Sequence, residues 1–206
     1  TGYVVTFYQT DPLFVLDLTD PTAPVIVGEL KIPGFSSYLH PVGENLLLGV
    51  GTGGTEEGTD GSAKLSLFDV SDPKKPKEID TLILKNADFN TEYKAFVTDV
   101  SDNTFLVPYD SWQYKTVNEG YVHETVSSQT AGILRVAVES GKIVKKNAYE
   151  VTKASNRDID YYQFSRAAFV GDTVYGIDCW STDGRVVSFD KTTGEKLSEF
   201  VYDSYR

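Results

Sequence analysis

The stretch Leu13-Phe14-Val15-Leu16-Asp17-Leu18-Thr19-Asp20-Pro21-Thr22-Ala23-Pro24 returns 52 positions later as Leu65-Ser66-Leu67-Phe68-Asp69-Val70-Ser71-Asp72-Pro73-Lys74-Lys75-Pro76. Each copy is a short β-rich run that ends in a proline corner. Proline fixes φ near the value a turn needs and removes an N–H that a central strand would require. Behind each corner stands a second candidate strand, Val25 to Leu30 and Lys77 to Leu84. A weaker copy runs Ile133 to Val138, turns at Ser140-Gly141 and resumes at Lys142 to Tyr149. The last runs Val186 to Asp190, turns over Lys191-Thr192-Thr193-Gly194 and resumes at Glu195 to Tyr202. Glycine supplies the backbone freedom at those two corners that proline restricts at the first two.

The other half of each unit is a hairpin pattern: apolar run, polar turn, apolar run. Tyr38 to Pro41 precedes Leu46 to Val50. Tyr93 to Thr98 precedes Phe105 to Val107. Arg166 to Val170 precedes Val174 to Ile177. At the front, Tyr3-Val4-Val5-Thr6-Phe7 matches only the second run. Aligning Leu16, Phe68, Val136 and Phe189 gives steps of 52, 68 and 53. No stretch shows helical periodicity, and Val151 to Tyr161, with Arg157, Asp158 and Asp160, reads as a solvated loop between units. Four-stranded antiparallel units at this period predict an all-β fold, a β-propeller, in which neighbouring blades bury each other's apolar faces. A β-sandwich or barrel is the competing architecture. The expected organisation is a single propeller domain or propeller fragment over 1–206, with units of about 1–31, 32–84, 85–150 and 151–206 and an incomplete first blade.

That first unit lacks the strand expected to lie innermost, which leaves an unpaired edge, and an unpaired edge is a pairing template. The expectation is a consecutive part of a larger propeller, or a piece that self-associates through the open edge. The chain also lacks Met, even at position 1, as expected of a processed chain or part of a longer one.

Charge and composition exclude several classes. Lys and Arg number 19 against 30 Asp and Glu, a formal charge of -11. A field of that sign repels nucleic acid and anionic membranes, so no nucleic-acid partner is expected. No apolar run reaches the length of a membrane span. Cys179 is alone, so no internal disulfide can form. A thiol followed by Trp180 at a strand end reads as a small buried hydrophobe, and burial is expected.

Few residues carry chemistry. Loop 51–63 (Gly51-Thr52-Gly53-Gly54-Thr55-Glu56-Glu57-Gly58-Thr59-Asp60-Gly61-Ser62-Ala63) lacks the Gly-Lys-Ser/Thr of a phosphate loop, and its acids repel phosphate. Its oxygen ligands suit Ca²⁺ but not at EF-hand spacing; a mobile, solvated connection is the expectation. His40 and His123 are the only histidines and lie in different units. His40, before Pro41, reads as a structural hydrogen-bonding group. Asp17, Asp69 and Asp190 occupy equivalent positions before their corners, and repetition points to turn-capping rather than catalysis. The insertion Tyr109 to Ala131 departs from the repeat. Its Trp112, Tyr114, Tyr121 and His123 are the candidate ligand-binding residues, read as lying on a loop over a propeller face where aromatics stack on sugars or enter a protein partner. Packing of the insertion onto its own blade is the plainer reading. No catalytic residue, metal site or cofactor is expected.

Tyr3 to Phe7 followed by Asp11-Pro12 to Leu18, then Gly28-Glu29-Leu30-Lys31-Ile32-Pro33-Gly34-Phe35-Ser36-Ser37-Tyr38-Leu39-His40-Pro41, then Lys64 to Pro73, together resemble a family of secreted or surface bacterial and archaeal proteins with a C-terminal β-propeller domain, distantly related to WD40 propellers. The resemblance is closest over residues 1 to about 108. It implies an extracellular or cell-surface location and a longer parent, and carries over no catalytic residue. The expected function is therefore a non-enzymatic extracellular interaction module that binds a protein or glycan. The alternatives are a polysaccharide hydrolase or lyase, which needs convergent carboxylates, and a purely architectural domain.

Overall fold

The structure, a computed structural model, describes residues 1–6, 12–55, 58–119, 122–155, 163–181 and 183–203, with backbone alone at 58–59, 114–119, 122–127, 153–155 and 203. It is all-β. The strands are β1 (Gly2–Val4), β2 (Pro12–Asp17), β3 (Val25–Lys31), β4 (Phe35–Val42), β5 (Leu46–Thr55), β6 (Gly58–Asp69), β7 (Lys77–Lys85), β8 (Ala87–Phe89), β9 (Val97–Asp99), β10 (Thr104–Glu119), β11 (Val122–Glu139), β12 (Lys142–Ser155), β13 (Arg166–Val170), β14 (Thr173–Asp178), β15 (Asp183–Asp190) and β16 (Lys196–Asp203). They form sheets of three, four, five and four strands, among them β1-β2-β3, β4-β5-β6-β7 and β13-β14-β15-β16, with β12-β11-β10 in the third. These are propeller-like blades, and the first has three strands, as the repeat predicts.

The corners form as their residues require. Asp17, Asp69 and Asp190 each accept, through Oδ1, the N–H two residues on, from Thr19, Ser71 and Thr192, all at 2.9 Å. Asp20 and Asp72 repeat the device with Thr22 and Lys74, and their carbonyls accept from Ala23 and Lys75. The equivalent aspartates are therefore turn-formers. Ser140 and Gly141 both have positive φ, 50° and 73°, the pairing a two-residue hairpin turn demands.

Two compact units emerge, residues 1–91 with 138–144, and residues 92–137 with 145–206. In the first, the core joins Leu13 and Ile32 to Leu47, Phe68 and Val70, with Tyr3, Val5, Leu30 and Leu39 packed around them. Sheet β1–β3 thus lies face to face on sheet β4–β7. In the second, Leu106, Ala131, Ile133 and Tyr149 meet Phe164, Ala167, Val174, Val187 and Phe189. The Phe164 ring meets Phe189 edge-on at 6.1 Å. Burying a side chain such as Phe68 or Phe189 stabilises by about 2–3 kcal/mol, so within each unit the two sheets depend on each other for their shared core.

Four local expectations need correction. The insertion is not a loop: β10 and β11 continue through it in unbroken antiparallel register to Glu119↔Val122. Its Thr, Val, Tyr and Trp content favours extended backbone, so the hairpin simply lengthens. The segment 51–63 is no solvated connection either. Strands continue to Thr55 and resume at Gly58, Ser62 and Ala63 are buried, and Glu56 and Glu57 lie outside the described residues. Gly51 is required there because a Cβ would sit 1.9 Å from Phe35 O. β12 extends through 151–155, and Arg157, Asp158 and Asp160 lie outside the described residues. In the third unit the run expected from Tyr93 is strand only at Val97–Asp99; Ala95 N–H closes a turn onto Glu92 O at 2.8 Å.

Candidate interaction surface

The ribbon β10–β11 grows out of a fixed root. Tyr109, buried, donates its hydroxyl to the Glu150 carboxylate, and its ring covers Gly132 on the paired strand. Burial, reinforced by that carboxylate, pushes the Tyr109 phenol far above its usual range. Asp110, also buried, accepts from Gln163 Nε2 at 2.9 Å. Thr130 and Thr152 share a hydroxyl hydrogen bond of 2.8 Å. These polar groups sit at the level where the ribbon leaves the core, and the Tyr109 hydroxyl and Asp110 Oδ2 are each answered by a partner, as burial requires.

Beyond the root the register places the candidates. Trp112, half-buried, pairs with Gln129; position 114 pairs with 127, and position 123 with 118. Directly opposed residues share a face of an antiparallel pair, and so do residues two apart. Positions 112, 114 and 123 therefore fall on one face of the ribbon. The side chains of Tyr114 and His123 lie outside the described residues, as does Tyr121 altogether.

The other sequence candidates resolve separately. His40 Nδ1 lies 3.1 Å from Tyr38 Oη, and burial holds its imidazole below the usual range; it is a structural group. Cys179 is exposed, against expectation. The alternation of β14 explains the difference: Val174, Gly176 and Asp178 point inward, so position 179 falls outward. Asp178 takes the buried place instead, its carboxylate capping the turn through Trp180 N–H at 2.9 Å and Ser181 N–H at 3.1 Å.

One charged cluster escaped the sequence reading. Lys191 Nζ meets Asp99 Oδ2 at 2.5 Å and Asp102 Oδ2 at 3.1 Å. Arg135 pairs with Asp102 as well and donates through Nε to Thr104 Oγ1 at 3.1 Å. Lys191, then Ser101, hold the Asp99 carboxyl down at about 2. Burial raises the Asp102 carboxyl, but Thr104, Lys191 and Arg135 together keep it low. Two acids held ionised by two bases form a neutral clamp, and a carboxyl kept so low cannot serve as a general acid near neutral pH. Lys191 and Asp99 lie 92 positions apart, so no local pattern could have announced them. Among the described residues no group of three His, Cys, Asp or Glu is placed to hold a metal, and no helix is long and apolar enough to cross a membrane.

Comparison with known proteins agrees with this architecture. An uncharacterised protein of Archaeoglobus fulgidus is 50% identical over 109 residues, and one of Methanocaldococcus jannaschii is 45% identical over 110. Each match covers 52% of this chain and only 17% of the relative, so the chain corresponds to a small part of those proteins' length. The family described as beta propeller domain matches residues 1–193. Its repeat, its four blade-like sheets and this match together place the chain in the beta propeller domain family.

Proposed function

We propose that the chain is a non-enzymatic interaction module of a secreted or cell-surface protein, engaging a protein or glycan through the β10–β11 ribbon. Propeller faces gather projecting elements of successive blades and are generally used for surface contacts. The observation that carries the reading is the ribbon itself: strand pairing continues to Glu119↔Val122 from a root of buried, partnered polar groups, and one face holds positions 112, 114 and 123. A paired ribbon that carries these positions on one face offers aromatic residues for contact, and aromatic side chains supply contact area at low entropic cost. The resemblance to secreted and surface proteins supports the extracellular placement and a position towards the C-terminal end of a longer parent.

The test is a comparison of the chain with its Trp112→Ala/Tyr114→Ala double variant on a glycan array and against biotinylated surface-protein extract. The wild type is expected to retain a defined glycan or protein, and the variant to lose it while melting at the same temperature. Retention by the variant would remove the ribbon from the reading. Release of reducing sugar from a bound polysaccharide would replace binding with hydrolysis.

A further inference from the structure

The apolar contact within each unit is built from the same parts. On the leading sheet of the first unit, an opposed pair from its last two strands, Leu13↔Leu30, faces the neighbour; Leu65↔Leu82 occupies the same repeat position in the second sheet. On the following sheet, residues such as Leu47, Phe68 and Val70 receive Leu13 and Leu30. In the second unit Ile133 and Tyr149 play the first part, and Val174, Val187 and Phe189 the second.

A latch accompanies each core. The outer strands β3, β7 and β16 each carry a bulge at one repeat position, opposite Val15/Leu16, Leu67/Phe68 and Ser188/Phe189. Just past the bulge stand Gly28, Asp80 and Ser198. The Pro73–Pro76 corner of the following sheet seats on Gly28, whose missing Cβ would lie 2.0 Å from Pro73 O. The Ser140–Gly141 turn seats on Asp80, which accepts from Lys142 Nζ at 3.0 Å and Ile143 N–H at 2.7 Å. The Lys191–Gly194 turn seats on β12, where Asn147 Nδ2 donates to Thr192 O at 3.1 Å and Tyr149 donates to Lys191 O at 2.7 Å.

Two halves are left over. The first sheet's back face presents Leu18, 41% exposed, where the same repeat position in the second sheet, Val70, is 5% exposed. Leu16 is half-buried where Phe68 is fully buried, and Val4 stands beside them, exposed. The fourth sheet's front face presents the pair Val186↔Phe200. Val186 is half-buried where Leu13 and Leu65 at its repeat position are sealed, and Phe200 is 65% exposed where Leu30 and Leu82 at its position are half-buried. Ser198, at the latch position, is bonded to Ser188 at 2.7 Å. The Asp20-Pro21 corner is the one turn of the four with no described seat.

We propose that these two surfaces bind each other between two copies of this chain: the Asp20–Pro24 corner and the Leu16/Leu18 face of one copy dock on the Ser198 notch and the Val186/Phe200 face of the other. The occupant is a second copy because one chain carries both halves of a contact that it already makes three times by latch and twice by apolar core. The contact is heterologous, joining different patches on the two partners. It is independent of the ribbon.

Sedimentation equilibrium or light scattering behind size exclusion reads the outcome. The wild-type chain is expected to rise above its 22.8 kDa mass as concentration rises, through a dimer to longer head-to-tail species, because each copy carries both halves. Leu18→Asp and Phe200→Asp each place a charge in the apolar contact and are expected to weaken association about 100-fold, with far-UV circular dichroism unchanged because both side chains are exposed. Mixing the two variants restores association, since each retains the half that the other lacks. A wild-type chain that stays monomeric at all concentrations, single variants that dimerise as the wild type does, or a mixture that remains monomeric would each overturn the proposal. A monomeric result would instead assign the two faces to neighbouring blades of a longer parent chain.

Discussion

Replacing Lys191 with Met tests whether the charged clamp of the second unit holds that unit together. Lys191 Nζ bridges Asp99 and Asp102, and the Asp99 side chain is only 10% exposed, so solvent screens the pair little. The Asp99 carboxyl lies at about 2 in the fold against an ordinary 3.8. At about 1.4 kcal/mol for each tenfold in the proton equilibrium, that difference amounts to about 2 kcal/mol at neutral pH. Lys191 is the largest contributor, followed by Ser101, so its removal should cost about 1–2 kcal/mol and lower Tm by about 3–6 °C. Methionine keeps most of the apolar stem and isolates the charge. The sign follows from the lowered carboxyl. The stabilisation is complete above the unfolded value of 3.8 and is lost as pH falls towards about 2. The difference in Tm between wild type and Lys191→Met, followed by differential scanning calorimetry, should therefore be constant from pH 7 to 5 and close between pH 4 and 2. A difference that persists unchanged at pH 2 would assign the loss to packing and refute the electrostatic account.

Two further outcomes follow from the geometry. Gly28→Ala should destabilise the chain by about 1–3 kcal/mol, because its Cβ would lie 2.0 Å from Pro73 O and force the Pro73–Pro76 corner off its seat; a urea midpoint equal to that of the wild type would show that the corner does not depend on this contact. Cys179, being exposed, should react stoichiometrically with a thiol reagent such as DTNB in the native state, and a thiol that reacts only after denaturation would place it inside.

The repeat was legible because its signal is local. Asp17, Asp69 and Asp190 each bond within three residues of themselves, so their turns can be read from a short window. The pairing of Leu13 to Leu18 with Val25 to Leu30 follows from the corner between them. What escaped depends on distance or on phase. The Lys191 clamp joins residues 92 positions apart. Cys179 was misplaced by one step of a two-residue period: Asp178 beside it, although polar, takes the inward place and satisfies its carboxylate with the turn it caps. The insertion reads as a loop because it breaks the repeat, yet a two-stranded ribbon can extend there because half of each strand's backbone groups pair across it and the outward half can meet water. The ribbon's candidate aromatics were named from the sequence, but their common face depends on the register of β10 against β11, which composition alone does not specify.

That register also sets how far the surface reaches and how it can change. From Pro108↔Ile133 to Glu119↔Val122 the pairing is unbroken, a length of about 37 Å at about 3.4 Å per residue. Chain added symmetrically near the root lengthens this arm without disturbing the sheets that carry it. One residue inserted into each arm would turn the aromatic set over to the opposite side, whereas two would carry the same set outward by about 7 Å.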